Sequence, residues 1–156
     1  MNRFWFRRLL IQLILHRFQV PRDAIRFAFA KYPDRIALIT QRGSLTYSRL
    51  ADRVYRLACG WHAAGVRKGD PVYAQLADDW EQIEVRLAAY EMGAILVAFN
   101  EAHPSDLILN ASQIATPRVF VFDPKFAKTA ELLSDQNPSM LQLKTGDHGS
   151  YETLIA

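Results

Sequence analysis

One cysteine in 156 residues, Cys59, rules out an intramolecular disulfide framework and any metal site built from several cysteines. It fits a reducing compartment. Glycine and proline are sparse, seven of each, and no repeat or low-complexity tract is visible, so a fibrous or disordered chain is excluded. The glycines are scattered. No strand–helix junction therefore carries the glycine cluster that lets backbone N–H groups wrap a phosphate. Residues 1–18 hold no acid and no apolar run longer than three, far below the roughly 20 residues needed to span a bilayer.

What is present is a globular balance, 50% hydrophobic and 22% charged, of a size that suits one domain. The net charge of +3 is unevenly spread. Arg3, Arg7, Arg8 and Arg17 all lie in the first 18 residues; without them, 15 of the 19 basic residues face 16 acids. The body is about neutral, which excludes the basic face expected of a nucleic-acid binder.

The opening segment, MNRFWFRRLLIQLILHRF, places Arg3, Arg7, Arg8, Gln12 and His16 at helical spacings of three and four, leaving a wide apolar face. Three readings stay open for it. An interfacial helix would put its arginines on anionic head groups and its rings in the acyl boundary, with Arg3, Phe4, Trp5, Phe6, Arg7, Arg8, Leu9 and Leu13 as the membrane contacts. A helix docked on protein needs the same apolar face. A secretory signal fits less well, because Gln12, His16 and Arg17 interrupt the apolar stretch. The division expected is a cationic amphipathic helix at 1–18 and an α/β body over 21–156.

After Pro21 a short helix is expected to end near Tyr32, before Pro33, and RIALIT reads as a strand followed by the turn QRGS. Thr46 is a plausible N-cap for a helix whose Leu50, Val54, Leu57 and Trp61 share one face and which Gly65 stops. PVYAQL is the next strand. Asp78 or Asp79 can cap a second helix carrying Ile83, Leu87 and Tyr90, closed by Gly93. AILVAF, apolar on both faces, reads as a central buried strand. SDLILNASQI and PKFAKTAELL are helices, and RVFVF and MLQL strands. Strands are thus expected near 36–40, 71–76, 94–98, 118–122 and 140–143. Strands joined by helical crossovers imply a mostly parallel sheet flanked by helices. Ligands of such sheets usually lie beyond the carboxyl ends of the strands. Here those ends are ADDWEQ, NEAHPS and DPK.

Few residues announce chemistry. His62 follows Trp61 on a helix and has no partner at ligand spacing. His103 lies in a loop beyond a strand end and is the candidate loop site. Asp78, Asp79, Glu81 and Glu84 cluster at a helix start, where capping and the helix dipole account for acids. Cys59 reads as a small core residue.

The order of YPDRIALI, LTYSRLADRVYRLACGWHAAGVRKGDPV, EVRLAAYEMGAILVAFN and TPRVFVFD resembles the N-terminal region of the adenylate-forming (AMP-binding) superfamily, most closely the long-chain fatty acyl-CoA synthetases. The resemblance covers residues 21–153 and implies the N-terminal subdomain of an acyl-CoA synthetase. It implies an enzyme that activates a carboxylic acid with ATP and Mg2+ and passes the acyl group to CoA. The phosphate loop, ribose-binding aspartate and catalytic lysine of such enzymes lie downstream of this region. The chain alone is therefore expected to lack catalytic, cofactor-binding and metal residues and to be inactive by itself. The TGD at Thr145–Asp147 imitates the ribose-binding signature but sits too early, and GSYETLI already matches the family at that point. NEAHPS lacks the arginine that family members usually carry there. The expected partners are a second copy or a missing catalytic portion, with a membrane surface as a further contact. The expected location is the cytoplasm, peripheral at the membrane. The alternative is a non-catalytic membrane-surface or protein-interaction module that kept the scaffold.

Overall fold

The computed structural model describes residues 20–77, 79–146 and 149–156; the membrane-contact set between Arg3 and Leu13, with Asp78, Asp147 and His148, lies outside them. Helix α1 (Val20–Lys31) leads into a hairpin of β1 (Ile36–Thr40) and β2 (Gly43–Thr46). The hairpin strands run antiparallel, with Leu38 opposite Leu45 and Thr40 opposite Gly43. Residues 43 and 44, expected as part of a turn, therefore open a strand. The turn itself is only Gln41 and Arg42. Leu45 is the one buried side chain of β2, so no hydrophobic alternation marks that strand in the sequence.

From Thr46 the chain alternates as expected. Thr46 caps α2 (Tyr47–Ala63), its hydroxyl accepting the Arg49 N–H at 3.3 Å. Then follow β3 (Pro71–Gln75), α3 (Trp80–Met92), β4 (Ile95–Phe99), α4 (Ser105–Ile114) and β5 (Val119–Phe122). A 3-10 turn at Pro124–Phe126, α5 (Ala127–Gln136), β6 (Leu141–Lys144) and α6 (Ser150–Ile155) complete the fold. Gly93 ends α3 with a φ of 68°, a left-handed conformation glycine adopts without steric cost.

The four strands β3 to β6 form one parallel sheet in the order β4-β3-β5-β6. Val72 pairs with both Leu96 and Val119, and Val119 in turn with Leu141. This corrects the expectation that AILVAF is central: β4 is an edge strand, and Ile95 is 54% exposed. Apolarity on both faces calls for a layer above and below a strand; it does not call for a neighbour on each side. The crossover from β4 to β5 passes β3, and that connection makes β3 an inner strand beside β5 despite its Tyr73 and Gln75.

Period-two alternation divides the core. Val72 and Ala74 of β3 and Val119 and Val121 of β5 face a layer of α1, α2, α3 and α6. Tyr73, Phe120 and Phe122 face α4 and α5 through Ile108, Ala130 and Leu133. The predicted face of α2 is buried as read, with Leu50, Val54, Leu57 and Trp61 all inside. Burial of each of Leu50, Val54 and Leu57 contributes about 1.5–3 kcal/mol of transfer free energy. The predicted face of α3 is displaced. Val85, Ala88 and Ala89 form it, while Tyr90 is exposed and Ile83 and Leu87 are half-buried. Cys59, expected in the core, is exposed on the outer side of α2.

Candidate functional site

The chain leaves β3 for β4 on one side and leaves β5 for β6 on the other. Their carboxyl ends therefore flank the point where the winding reverses, the usual mouth of a ligand crevice. Asp123, the residue after β5, fills that mouth. Its backbone N–H donates to the Gln75 carbonyl at 3.1 Å. Its Oδ2 accepts the Ala77 N–H at 2.5 Å, and its Oδ1 accepts the Thr145 hydroxyl at 2.6 Å. The position where an anionic ligand would meet backbone donors is thus held by the chain's own carboxylate.

Beside it, Gln75 is almost fully buried and its Nε2 donates to the carbonyls of His103 at 3.1 Å and Asn100 at 3.4 Å. Its Oε1 is buried without a hydrogen-bond partner among the described residues. The structure thus brings the carbonyl of His103 to the strand ends. The His103 ring instead staples its own loop: Nδ1 accepts the Asn100 N–H at 3.0 Å, which leaves the proton of the neutral ring on Nε2. The ring packs edge-on to Phe99, with centroids 5.9 Å apart. Lys125 and Glu101 pair at 2.5 Å across the neighbouring loops.

The acidic cluster at the start of α3 divides by role. Asp79 caps the helix, accepting the Trp80 N–H at 2.8 Å. Glu81 and Glu84 are also buried, which neither capping nor the helix dipole requires. Arg42 reaches Glu81 at 2.7 Å and Asp79 at 2.8 Å while lying 4.6 Å over the Trp80 ring. Burial nevertheless pushes the Glu81 carboxyl above its ordinary value; its own backbone N–H and Arg42 oppose that rise without cancelling it.

Glu84 is completely enclosed. Arg53 of α2 grips it with two bonds, Nε to Oε1 at 2.6 Å and Nη2 to Oε2 at 3.2 Å. The Tyr151 hydroxyl of α6 donates to the same Oε2 at 2.8 Å. Arg53 also holds Glu152 of α6 at 2.7 and 3.1 Å. Burial works against the Arg53 charge, but its bonds to Glu152 and Glu84 win, and its pKa lies above the ordinary arginine value. Burial and the Glu84 charge hold the Tyr151 phenol well above its usual value. This network ties α2, α3 and α6 together beside a cavity of about 400 Å³, which is lined by Arg42, Ser44, Arg49, Trp80 and Glu152 among others.

The sequence signature of the AMP-binding enzyme family matches residues 25–155. The chain belongs to that family. Within it, the chain is 30% identical over 105 residues to 2,3-dihydroxybenzoate-AMP ligase of Bacillus subtilis (strain 168), across 67% of this chain and 20% of that protein. It is 36% identical over 78 residues to the medium/long-chain-fatty-acid–CoA/3-oxocholest-4-en-26-oate–CoA ligase of Mycobacterium marinum, across 50% of this chain and 14% of the ligase. A protein assigned as a long-chain-fatty-acid CoA ligase from Rhodopseudomonas palustris CGA009 superimposes with a TM-score of 0.81 at 26% identity, covering 91% of this chain and 37% of that one. ATP-bound MatB from Rhodopseudomonas palustris shares the fold, with a TM-score of 0.74 at 23% identity over 86% of this chain and 27% of its own. The matched part of the chain spans between 9% and 24% of the length of the curated relatives it matches.

The AMP-binding family uses ATP and Mg2+. Among the described residues no group of three or more His, Cys, Asp or Glu could hold a metal ion. Asp123, the carboxylate at the winding reversal, has both oxygens engaged. The described strand ends therefore do not fit a nucleotide with its Mg2+, and no chemical step through either follows from them. Also among the described residues, no helix is long and apolar enough to cross a membrane.

Proposed function

We propose that this chain forms the N-terminal scaffold of a ligase that activates a carboxylic acid, a fatty acid, with ATP and transfers it to CoA. The observation that carries the reading is the agreement of two likenesses over nearly the same span. The family signature covers residues 25–155, and the assigned long-chain-fatty-acid CoA ligase superimposes over 91% of the chain. The similarity to the medium/long-chain-fatty-acid ligase supports the fatty acid; the similarity to the 2,3-dihydroxybenzoate ligase supports an aryl acid, and the assay must separate them.

The work of the described residues in this reading is architectural. They set a parallel sheet, and they lock helices α2, α3 and α6 through Arg53 and Glu84. The nucleotide machinery belongs to sequence beyond this region. The gene beyond codon 156 tests that division: an open frame running into a Ser/Thr/Gly-rich loop supports it, and a stop codon in an intact gene defeats it. The product of the whole frame is then assayed for pyrophosphate release with ATP, Mg2+, CoA and parallel panels of fatty and aryl acids. Turnover with aryl acids alone removes the fatty-acid assignment. Turnover by the 156-residue chain alone overturns the architectural role.

A peripheral membrane contact through residues 1–18 fits the same reading, supported by four arginines and an aromatic face in a segment without acids.

A further inference from the structure

A second cavity lies far from the strand ends. It is an open groove of about 430 Å³ between the C-terminal halves of α2 and α3, and none of the residues discussed under the proposed function lines it. Ala58, Val66 and Met92 line it together with Tyr55, Cys59 and Ala63. Of these, Tyr55, Cys59 and Ala63 are exposed, so an apolar surface faces solvent there.

The polar groups of the groove are unequal in charge. Glu91 is already paired with Arg26 of α1. Arg67 spends Nη1 on the carbonyls of His62 and Val66, each at 2.9 Å, which fixes its guanidinium at the rim. Lys68 makes no hydrogen bond or ion pair among the described residues. The carboxyl end of α2 contributes roughly −0.5 of a charge, which two full cations outweigh. An apolar trough with surplus positive charge at one end matches a molecule with an apolar tail and an anionic head. Its volume lies in the range of small-molecule sites, about 300–1,000 Å³.

We infer that this groove binds a medium-chain fatty carboxylate, its head at Arg67 and Lys68 and its tail along Tyr55, Cys59 and Met92. The inference stands on the groove alone and does not depend on the ligase reading, so either can fail without the other.

Cys59 is a built-in reporter, because it is the one thiol of the chain and lines the groove. The test follows its alkylation by a water-soluble maleimide in the full 156-residue chain, with decanoate below its micelle concentration. At ten times its Kd, decanoate should slow alkylation about tenfold, since only unliganded protein reacts. Decyltrimethylammonium, with the same tail and the opposite charge, should protect clearly less. Lys68→Gln should weaken decanoate about two- to fivefold, as expected for one partly exposed ion pair, and should not weaken the cationic amphiphile. Ala58→Met should narrow the trough and remove protection, with circular dichroism checking that the fold persists. If Ala58→Met fails to fold, the Lys68→Gln comparison decides by itself.

Absence of protection by decanoate overturns the proposal. So does equal protection by the two amphiphiles, or protection unchanged in Lys68→Gln. If deleting residues 1–18 by itself exposes Cys59 to much faster alkylation, the groove belongs to that segment and the fatty carboxylate is again excluded.

Discussion

Replacing Arg53 by Met tests the Arg53–Glu84 lock most directly. Glu84 has no exposed surface, and Arg53 supplies two of its three hydrogen bonds, at 2.6 and 3.2 Å; the third is the Tyr151 hydroxyl at 2.8 Å. Methionine keeps the apolar stem but leaves a buried carboxylate with one donor. Breaking a buried pair from one side costs about 3–5 kcal/mol. For a chain of this size that lowers Tm by about 6–20 °C, at roughly 2–4 °C per kcal/mol. Glu152→Gln is the contrast: it also removes a charge held by Arg53, at 2.7 Å, but its side chain is 34% exposed. Water can replace what is lost there, and the cost should stay below about 1 kcal/mol. The triple variant Arg53→Met, Glu84→Met, Tyr151→Phe removes the charges and the hydroxyl together, and should return to within about 1–2 kcal/mol of the parent. Urea unfolding followed by circular dichroism measures all three. An Arg53→Met chain within about 1 kcal/mol of the parent, or a triple variant no more stable than the single, refutes the reasoning.

Three further outcomes follow from the same structure. The folded Tyr151 phenol holds its proton above the ordinary value near 10, so the unfolded chain releases that proton first; stability is full below about pH 10 and falls as pH rises past it. Tyr151→Phe should cost about 1 kcal/mol at neutral pH and flatten the alkaline fall, and an unchanged slope in pH-dependent urea midpoints counts against the assignment. A Cβ on Gly60 would lie 2.6 Å from Leu154 Cγ, so Gly60→Ala should destabilise by about 1–3 kcal/mol and a second change, Leu154→Ala, should relieve the clash; additive losses in thermal melts would show that α2 and α6 do not meet there. Deleting residues 1–18 should abolish sedimentation with anionic vesicles and leave the helical circular dichroism of the body intact, and binding that survives the deletion removes the membrane role from that segment.

Local pattern made most of the fold legible. The burial of Leu50, Val54, Leu57 and Trp61 follows from a 3.6-residue period, and four of the five expected strands shift by no more than a residue at either end, while β1 matches in full. What the sequence hid is what long-range contacts decide. AILVAF is apolar enough for a central strand, but its position was set by the crossover past β3. Cys59 is small and apolar in type, yet it lies on the far side of α2 from Trp61. Glu84 looks like any acid near a helix start. Its partners stand 31 positions before it and 67 after it, so no local spacing marks it. Thr145 was read within a motif, while its role is to hold Asp123.

The closed mouth of the sheet has a physical consequence for where a ligand of the described residues can lie. To open the crevice between β3 and β5, Asp123 would have to leave the Ala77 N–H and the Thr145 hydroxyl. Stranding buried donors costs about 1–3 kcal/mol each, and Thr145 is 4% exposed, so little water is at hand to replace the lost bond. Binding energy spent on that rearrangement is lost to affinity. The apolar groove between α2 and α3 needs no such opening: among the described residues its surface faces solvent, and Lys68 has no partner to surrender. Between a mouth filled by the chain's own carboxylate and a groove with unspent charge, a small anionic amphiphile meets the lower barrier at the groove. On that proposal, the surface that takes such a molecule is on the outer helical layer, away from the strand ends where a parallel sheet usually carries its ligand.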